Sequence, residues 1–240
     1  MAGEKKTGCG VSALIAAAGM GTRMGAGVNK QFLLLEGVPI LAYTLRAFDA
    51  SDLVEEIIVV SREDEILTVS DLVKEFGIRK VKGIVPGGRT RQESVRLGLA
   101  HITGDRVLVH DGARPFVAPE QINAVAKALK NCPAAALGIP VRDTVKRVDA
   151  MGRIVETLER EGLYRIQTPQ GFHTEQLKKL HEEAEKQGIS VTDDCALAED
   201  RGIPVTIVEG SAVNLKVTTP EDLQIGRVLL RLGDLENQTN

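Results

Sequence analysis

The chain has 240 residues, 43% of them apolar and 26% charged, which suits one compact domain over residues 1–240 with a sizeable buried core. A formal net charge of -3 excludes an overall basic field for nucleic acid or an anionic membrane, so an anionic ligand has to be caught by a local constellation. Cys9, Cys132 and Cys195 form no CxxC or Cys/His pattern, the N-terminus carries no apolar signal-like run, and no apolar stretch reaches the roughly 18 residues of a membrane span; a cytoplasmic protein is expected.

Short runs rich in Val and Ile alternate with longer amphipathic stretches, the pattern of βαβ units around a parallel sheet. The first run, residues 11–17, is almost wholly apolar, as a central strand covered on both faces must be. A helix follows over 39–50, with Pro39 at its first position, then a strand over 56–61 and, after cap-like and acidic residues at 61–64, a helix ending at Gly77. Strands are next predicted at 80–85, 106–110 and 134–141, separated by helices at 90–101 and 119–131. Residues 143–159 break the rhythm: polar and apolar residues alternate on either side of Asp149-Ala150-Met151-Gly152, a hairpin signal. A lone two-stranded hairpin is marginal in water, so this arm, at about 143–160, is expected to lie on a second copy of the chain. Strands at 163–168, 204–208 and 213–217 and helices at 174–187 and 220–232 complete the pattern. The expected fold class is α/β: a single Rossmann-like, mainly parallel sheet flanked by helices, with a β-hairpin dimerisation arm.

The densest chemical signal follows the first strand: Ala16-Ala17-Ala18-Gly19-Met20-Gly21-Thr22-Arg23-Met24-Gly25, then Asn29-Lys30-Gln31. Tiny residues let the backbone approach a ligand closely, and successive N–H groups form a nest for anions. Arg23 and Lys30 add fixed positive charge, which makes the turn a phosphate cradle rather than a plain βα connection. A Walker loop is excluded because its Gly-Lys-Ser/Thr string is absent. A dinucleotide fingerprint needs a glycine where Met24 stands and an acidic residue at the end of a second strand, and neither is present.

The loop resembles the signature of sugar-phosphate nucleotidyltransferases. Later motifs narrow the resemblance: Gly87-Gly88-Arg89-Thr90-Arg91-Gln92-Glu93-Ser94, Val109-His110-Asp111-Gly112-Ala113-Arg114-Pro115, Pro140-Val141-Arg142-Asp143-Thr144-Val145-Lys146, Thr168-Pro169-Gln170, Thr192-Asp193-Asp194 and Asn214-Leu215-Lys216-Val217-Thr218. In that order, from about residue 11 to 232, the chain resembles the 2-C-methyl-D-erythritol 4-phosphate cytidylyltransferases of the non-mevalonate isoprenoid pathway. The resemblance implies that Ala16, Ala17, Ala18, Gly19, Gly88 and Ser94 hold cytosine and ribose, and that Arg23 and Lys30 bind the triphosphate. It places Asp111, Gly112 and Arg114 between nucleotide and acceptor. Thr144 and Arg160 of a second subunit would grip the acceptor with Thr192, while Lys216 places the attacking phosphate. It further implies CTP and a sugar-alcohol phosphate as substrates, a homodimer, and magnesium, with Asp111 the best protein carboxylate near a metal held mainly by the nucleotide.

Three other readings stand beside this one: a ribitol 5-phosphate cytidylyltransferase, a dinucleotide-dependent oxidoreductase, and a silent nucleotide-binding module. Among the remaining polar residues, His110 reads as a packing histidine at a strand end and Asp193-Asp194 as a helix N-cap rather than a metal pair. His101, His173 and His181 read as surface positions.

Overall fold

In the computed structural model, which describes residues 8–19 and 29–238, seven strands form one sheet in the order β11-β7-β10-β6-β1-β4-β5. The first strand, β1 (Gly8–Ala16), lies between β4 (Val54–Ser61) and β6 (Gly104–Asp111), parallel to both, and β5 (Val81–Pro86) extends the sheet beyond β4. On the other side, β10 (Tyr164–His173) runs antiparallel between β6 and β7 (Ala134–Pro140), and β11 (Val205–Glu209) closes the edge parallel to β7. The sheet is therefore mainly parallel, as its apolar strands imply.

Alternation along each strand sorts side chains into two cores. Ala13 and Ile15 of β1, Ile57 and Val59 of β4 and Leu108 of β6 join the core under α1 (Ile40–Ala50), α2 (Ile66–Glu75) and α4 (Pro119–Ala128). Leu14, Ile58, Val60, Val107 and Val109 point the other way, against α3 (Arg91–Leu99), α5 (Thr174–Gln187) and α6 (Asp194–Asp200). This period of two, buried on both sides, is what makes those runs read as continuously apolar. A third cluster ties α7 (Pro220–Gln238) to a small hairpin, β2 (Leu34–Leu35) and β3 (Val38–Pro39), through Leu35, Val217 and Leu223. Both turn residues of that hairpin, Glu36 and Gly37, have positive φ, 46° and 81°, matching the twist of a two-residue loop.

Three elements differ from the sequence expectation. Residues 213–217 alternate like a strand but form none: the Val217 N–H donates to the Ala113 carbonyl at 2.8 Å and Asn214 Nδ2 to the Thr168 carbonyl at 3.0 Å, so this segment is stitched crosswise over the strand ends. β10 runs on to His173, past Thr168-Pro169, where its pairing with β7 shifts register. The short helix α6 was masked by its polar start, although its cap was legible: Asp193 Oδ1 accepts from the Ala196 N–H at 3.2 Å.

The predicted hairpin exists as β8 (Lys146–Val148) and β9 (Ile154–Thr157), a separate two-stranded sheet. Every residue of both strands is exposed, with Met151 at 79% and Ile154 at 66%.

Candidate active site

The chain passes from β1 outward to β4 and β5, then returns to place β6 on the other side of β1, so the carboxyl ends of β1 and β6 open into a crevice of the kind that binds ligands in open α/β sheets. A cleft of about 610 Å³ lies there. Its floor is Ala16 and Ala18 at the end of β1, with Gly19 beyond; its walls carry Gly88, Ser94 and Asp111. Lys30, Arg62, Arg89, Arg91 and Lys216 bring cationic side chains to the same space.

Local packing explains the small residues. A Cβ on Gly87 would sit 2.5 Å from the Ala18 Cβ, so the turn after β5 closes onto the turn after β1 only because Gly87 lacks one. A Cβ on Gly19 would meet nothing within 4 Å among the described residues, and Gly19 itself lines the cleft. Past Gly88 the chain enters α3, whose cap Thr90 accepts from the Glu93 N–H at 3.0 Å. Thr90 and Arg91, the cap and first residue of α3, line the cleft, so the positive end of the helix dipole lies beside it. Ser94 accepts from the Gly88 N–H at 3.1 Å and donates to the Thr90 carbonyl at 2.8 Å, which pins its hydroxyl beside the turn.

Asp111 is the only carboxylate on the cleft among the described residues, and three cations converge on it. Arg91 Nε approaches Oδ1 at 3.2 Å, while Lys216 Nζ and Arg114 Nε approach Oδ2 at 2.9 and 3.5 Å. Burial alone would raise its pKa, but Arg91, then Lys216 and Arg114, hold the carboxyl well below the usual range. Arg91 in turn is held charged, against the effect of burial, by Asp194 at 2.8 Å and by Asp111. The site therefore concentrates net positive charge without offering a proton acceptor.

His110 is neither a base nor a cleft residue. It is fully buried, 4.9 Å from the Phe48 ring, and burial pushes its pKa down to about 3. Because the Arg114 carbonyl at 3.2 Å from Nε2 can only accept, Nε2 carries the proton and Nδ1 accepts from the Thr168 hydroxyl at 2.9 Å. The packing reading of His110 holds. His181 departs from its surface reading: it is 1% exposed, and its Nε2 lies 3.0 Å from Asp194 Oδ1.

Of the residues singled out in the sequence, Ala16, Ala18, Gly19, Lys30, Gly88, Ser94, Asp111 and Lys216 line one cleft. Ala17 sits behind it, its side chain in the core and its N–H donated to the Val60 carbonyl at 2.7 Å. Gly112 likewise stitches strand ends, donating to the Ala16 carbonyl at 2.9 Å, and Arg114 braces Asp111 and the Asn214 carbonyl from the far side. Thr144, Arg160 and Thr192 are exposed and do not line the cleft of their own chain; Arg160 donates to the Arg142 carbonyl at 2.6 Å. Arg23 lies outside the described residues. Sequence reasoning missed Arg91, which stands in a quoted motif but is recognisable as a site residue only once Asp194 is seen beside it, and the rim cations Arg62 and Arg89.

The profile of the family described as 2-C-methyl-D-erythritol 4-phosphate cytidylyltransferase matches residues 11–232. The chain is 45% identical over 220 residues to the enzyme of that name from Halalkalibacterium halodurans, covering 91% of this chain and 96% of the relative. It is 44% identical to the one from Desulforamulus reducens, covering 92% and 96%. Among solved structures, 4-diphosphocytidyl-2C-methyl-D-erythritol synthase from Anaerococcus prevotii superposes with a TM-score of 0.83 at 31% identity, covering 92% of this chain and 96% of that one. The Thermus thermophilus cytidylyltransferase does so with a TM-score of 0.75 at 34% identity, covering 92% and 99%. Fold, cleft and likeness agree along nearly the whole length, and the chain belongs to the 2-C-methyl-D-erythritol 4-phosphate cytidylyltransferase family.

Proposed function

We propose that this chain transfers a cytidylyl group from CTP to 2-C-methyl-D-erythritol 4-phosphate, giving 4-diphosphocytidyl-2-C-methyl-D-erythritol and pyrophosphate. The observation that carries this reading is the gathering of Arg91, at the first position of α3, with Arg114 and Lys216 on Asp111 at the end of β6, in a cleft that Lys30 also lines. A phosphate monoester has its second pKa near about 6, so its attacking oxygen is already deprotonated at neutral pH and needs no general base. That oxygen forms a bond to the α-phosphorus of CTP as the bond to the bridging oxygen breaks and pyrophosphate departs. What the site must supply is positive charge and in-line placement.

Lys30, with Arg23 as the family likeness implies, is assigned to the triphosphate, and Lys216 to the acceptor phosphate. Ser94, Gly88 and the turn after β1 are assigned to cytosine and ribose. Magnesium is proposed to arrive on the nucleotide. No group of three or more His, Cys, Asp or Glu able to hold a metal occurs among the described residues, and both oxygens of Asp111 already face cations, so the donor set fits a metal carried by phosphate oxygens. When bound, the ion would neutralise charge on the triphosphate.

Thr144 and Arg160 reach an acceptor only from a second copy, and the exposed apolar residues of the arm, Val148, Met151, Ile154 and Val155, supply a surface for that copy; a homodimer joined through the arm is proposed on this basis. No helix among the described residues is long and apolar enough to cross a membrane. A cytoplasmic location is proposed from the cysteine pattern, with Cys132 and Cys195 both free. The test is pyrophosphate release with CTP, magnesium and either methylerythritol phosphate or ribitol 5-phosphate. Release with the first acceptor and not the second supports the proposal; the reverse, or none with either, refutes it.

A further inference from the structure

Behind Asp111 the chain of polar contacts does not stop. Arg91 Nε donates to Asp111 Oδ1 at 3.2 Å, its Nη1 to Asp194 Oδ2 at 2.8 Å, and Asp194 Oδ1 lies 3.0 Å from His181 Nε2. Asp194 and His181 are each 1% exposed and sit on α6 and α5, under the sheet face opposite α1, away from the cleft mouth. Five groups from five separate segments thus stand in series: His181, Asp194, Arg91, Asp111, Lys216.

The helix that Asp194 opens does not need its carboxylate. Asp193 caps α6, and Gln170 Oε1 accepts the N–H groups of Asp194 and Cys195 at 3.1 and 3.3 Å. Both carboxylate oxygens of Asp194 are spent on His181 and Arg91. Nor does stability account for the arrangement, since buried ion pairs are often replaceable by well-packed apolar residues without loss. His181 Nδ1 is buried without a partner, so its ring proton is committed to Asp194 and to nothing else. A planar guanidinium held at two corners cannot rotate. With Oδ1 of Asp111 fixed by Arg91, Oδ2 is turned to Lys216.

We propose that Asp194 and His181 are positioning residues for cytidylyl transfer, acting through Arg91 and Asp111 to set the place of the Lys216 ammonium at the cleft. This inference rests on the functional reading above. The test compares Asp194→Asn, Lys216→Ala and their double variant in full-length protein, with CTP and methylerythritol phosphate. Asp194→Asn should lower kcat/KM for the acceptor by about 10- to 100-fold, the scale on which a misplaced group at a reacting centre is felt. In the Lys216→Ala background the same change should cost less than about 2-fold, because the group it positions is gone. A merely architectural role predicts the same fold-loss in both backgrounds, and that result overturns the proposal.

Should Asp194→Asn fail to fold, His181 decides. His181→Gln keeps an N–H donor near the Nε2 position and should remain within about 3-fold of wild type, whereas His181→Phe should lose about 10-fold or more. Equal activity in the two variants refutes the role. Wild type that releases no pyrophosphate defeats the functional reading instead. The positional claim is then judged by the Lys216 side-chain ¹⁵N resonance, which should move in Asp194→Asn, or in His181→Phe where that variant alone folds, and by staying put would sink it.

Discussion

The burial of His110 makes a quantitative prediction about acid. Its pKa falls from 6.5 to about 3 on folding, through desolvation, against a partly offsetting attraction from Asp111. Between those two values the unfolded chain binds a proton that the folded chain refuses, so stability is full above the unfolded pKa and declines as pH falls below it. Shifting from about pH 7 to about pH 5 should then remove about 2 kcal/mol from His110 alone. Ionised carboxylates do not confuse this window: Asp111, Asp194 and Glu56 all have lowered pKa values, and the stability they contribute is lost only on further acidification. The assay is urea unfolding at the two pH values for wild type and His110→Gln. Gln keeps one donor and one acceptor for Arg114 and Thr168 but cannot titrate. The variant starts less stable through lost packing on Phe48, yet its loss between the two pH values should be smaller by about 2 kcal/mol. Parallel losses in both proteins would show that the buried ring is not the titrating group, and the reading of His110 as a neutral packing residue would fall.

Lys30→Ala or Lys216→Ala should lower turnover by about 100-fold or more, as for removal of one transition-state charge donor, with the fold retained; wild-type turnover would remove the residue from the charge-bearing set. Arg160→Ala should raise the acceptor KM more than the CTP KM, and an equal effect on both would take Arg160 out of the acceptor site. Val155→Asp, on the exposed arm, should shift the species in light scattering from dimer to monomer; a wild type already monomeric at micromolar protein would end the shared-site picture.

The parallel half of the fold was legible because its strands are buried on both faces and amphipathic helices follow them. The loop at 213–217 was not, since Val213, Leu215 and Val217 alternate as a strand's residues do while the Leu215 N–H turns back onto the Val213 carbonyl and the Val217 N–H goes to the distant Ala113 carbonyl. Local pattern reports side-chain burial; it is silent on where the N–H groups go. The site divides in the same way. Small residues and a cation close in sequence advertise themselves, and Ala16, Ala18, Gly19 and Lys30 do line the cleft. Arg91 lies 103 positions from Asp194, which is 13 from His181, and nothing in the residue types joins the three until the fold brings them together.

The groups that build the cleft come from the exits of β1, β5 and β6, from α3, and from the crosswise loop before α7, about two hundred positions apart at the extremes. A fragment cut anywhere between β1 and the loop before α7 carries only part of the set. A ligand bridging these segments should raise the unfolding free energy of the sheet as one unit, by an amount that grows with the logarithm of its concentration, rather than stiffening a single loop. Nucleotide protection from proteolysis or hydrogen exchange in this molecule is in that sense a readout of finished folding.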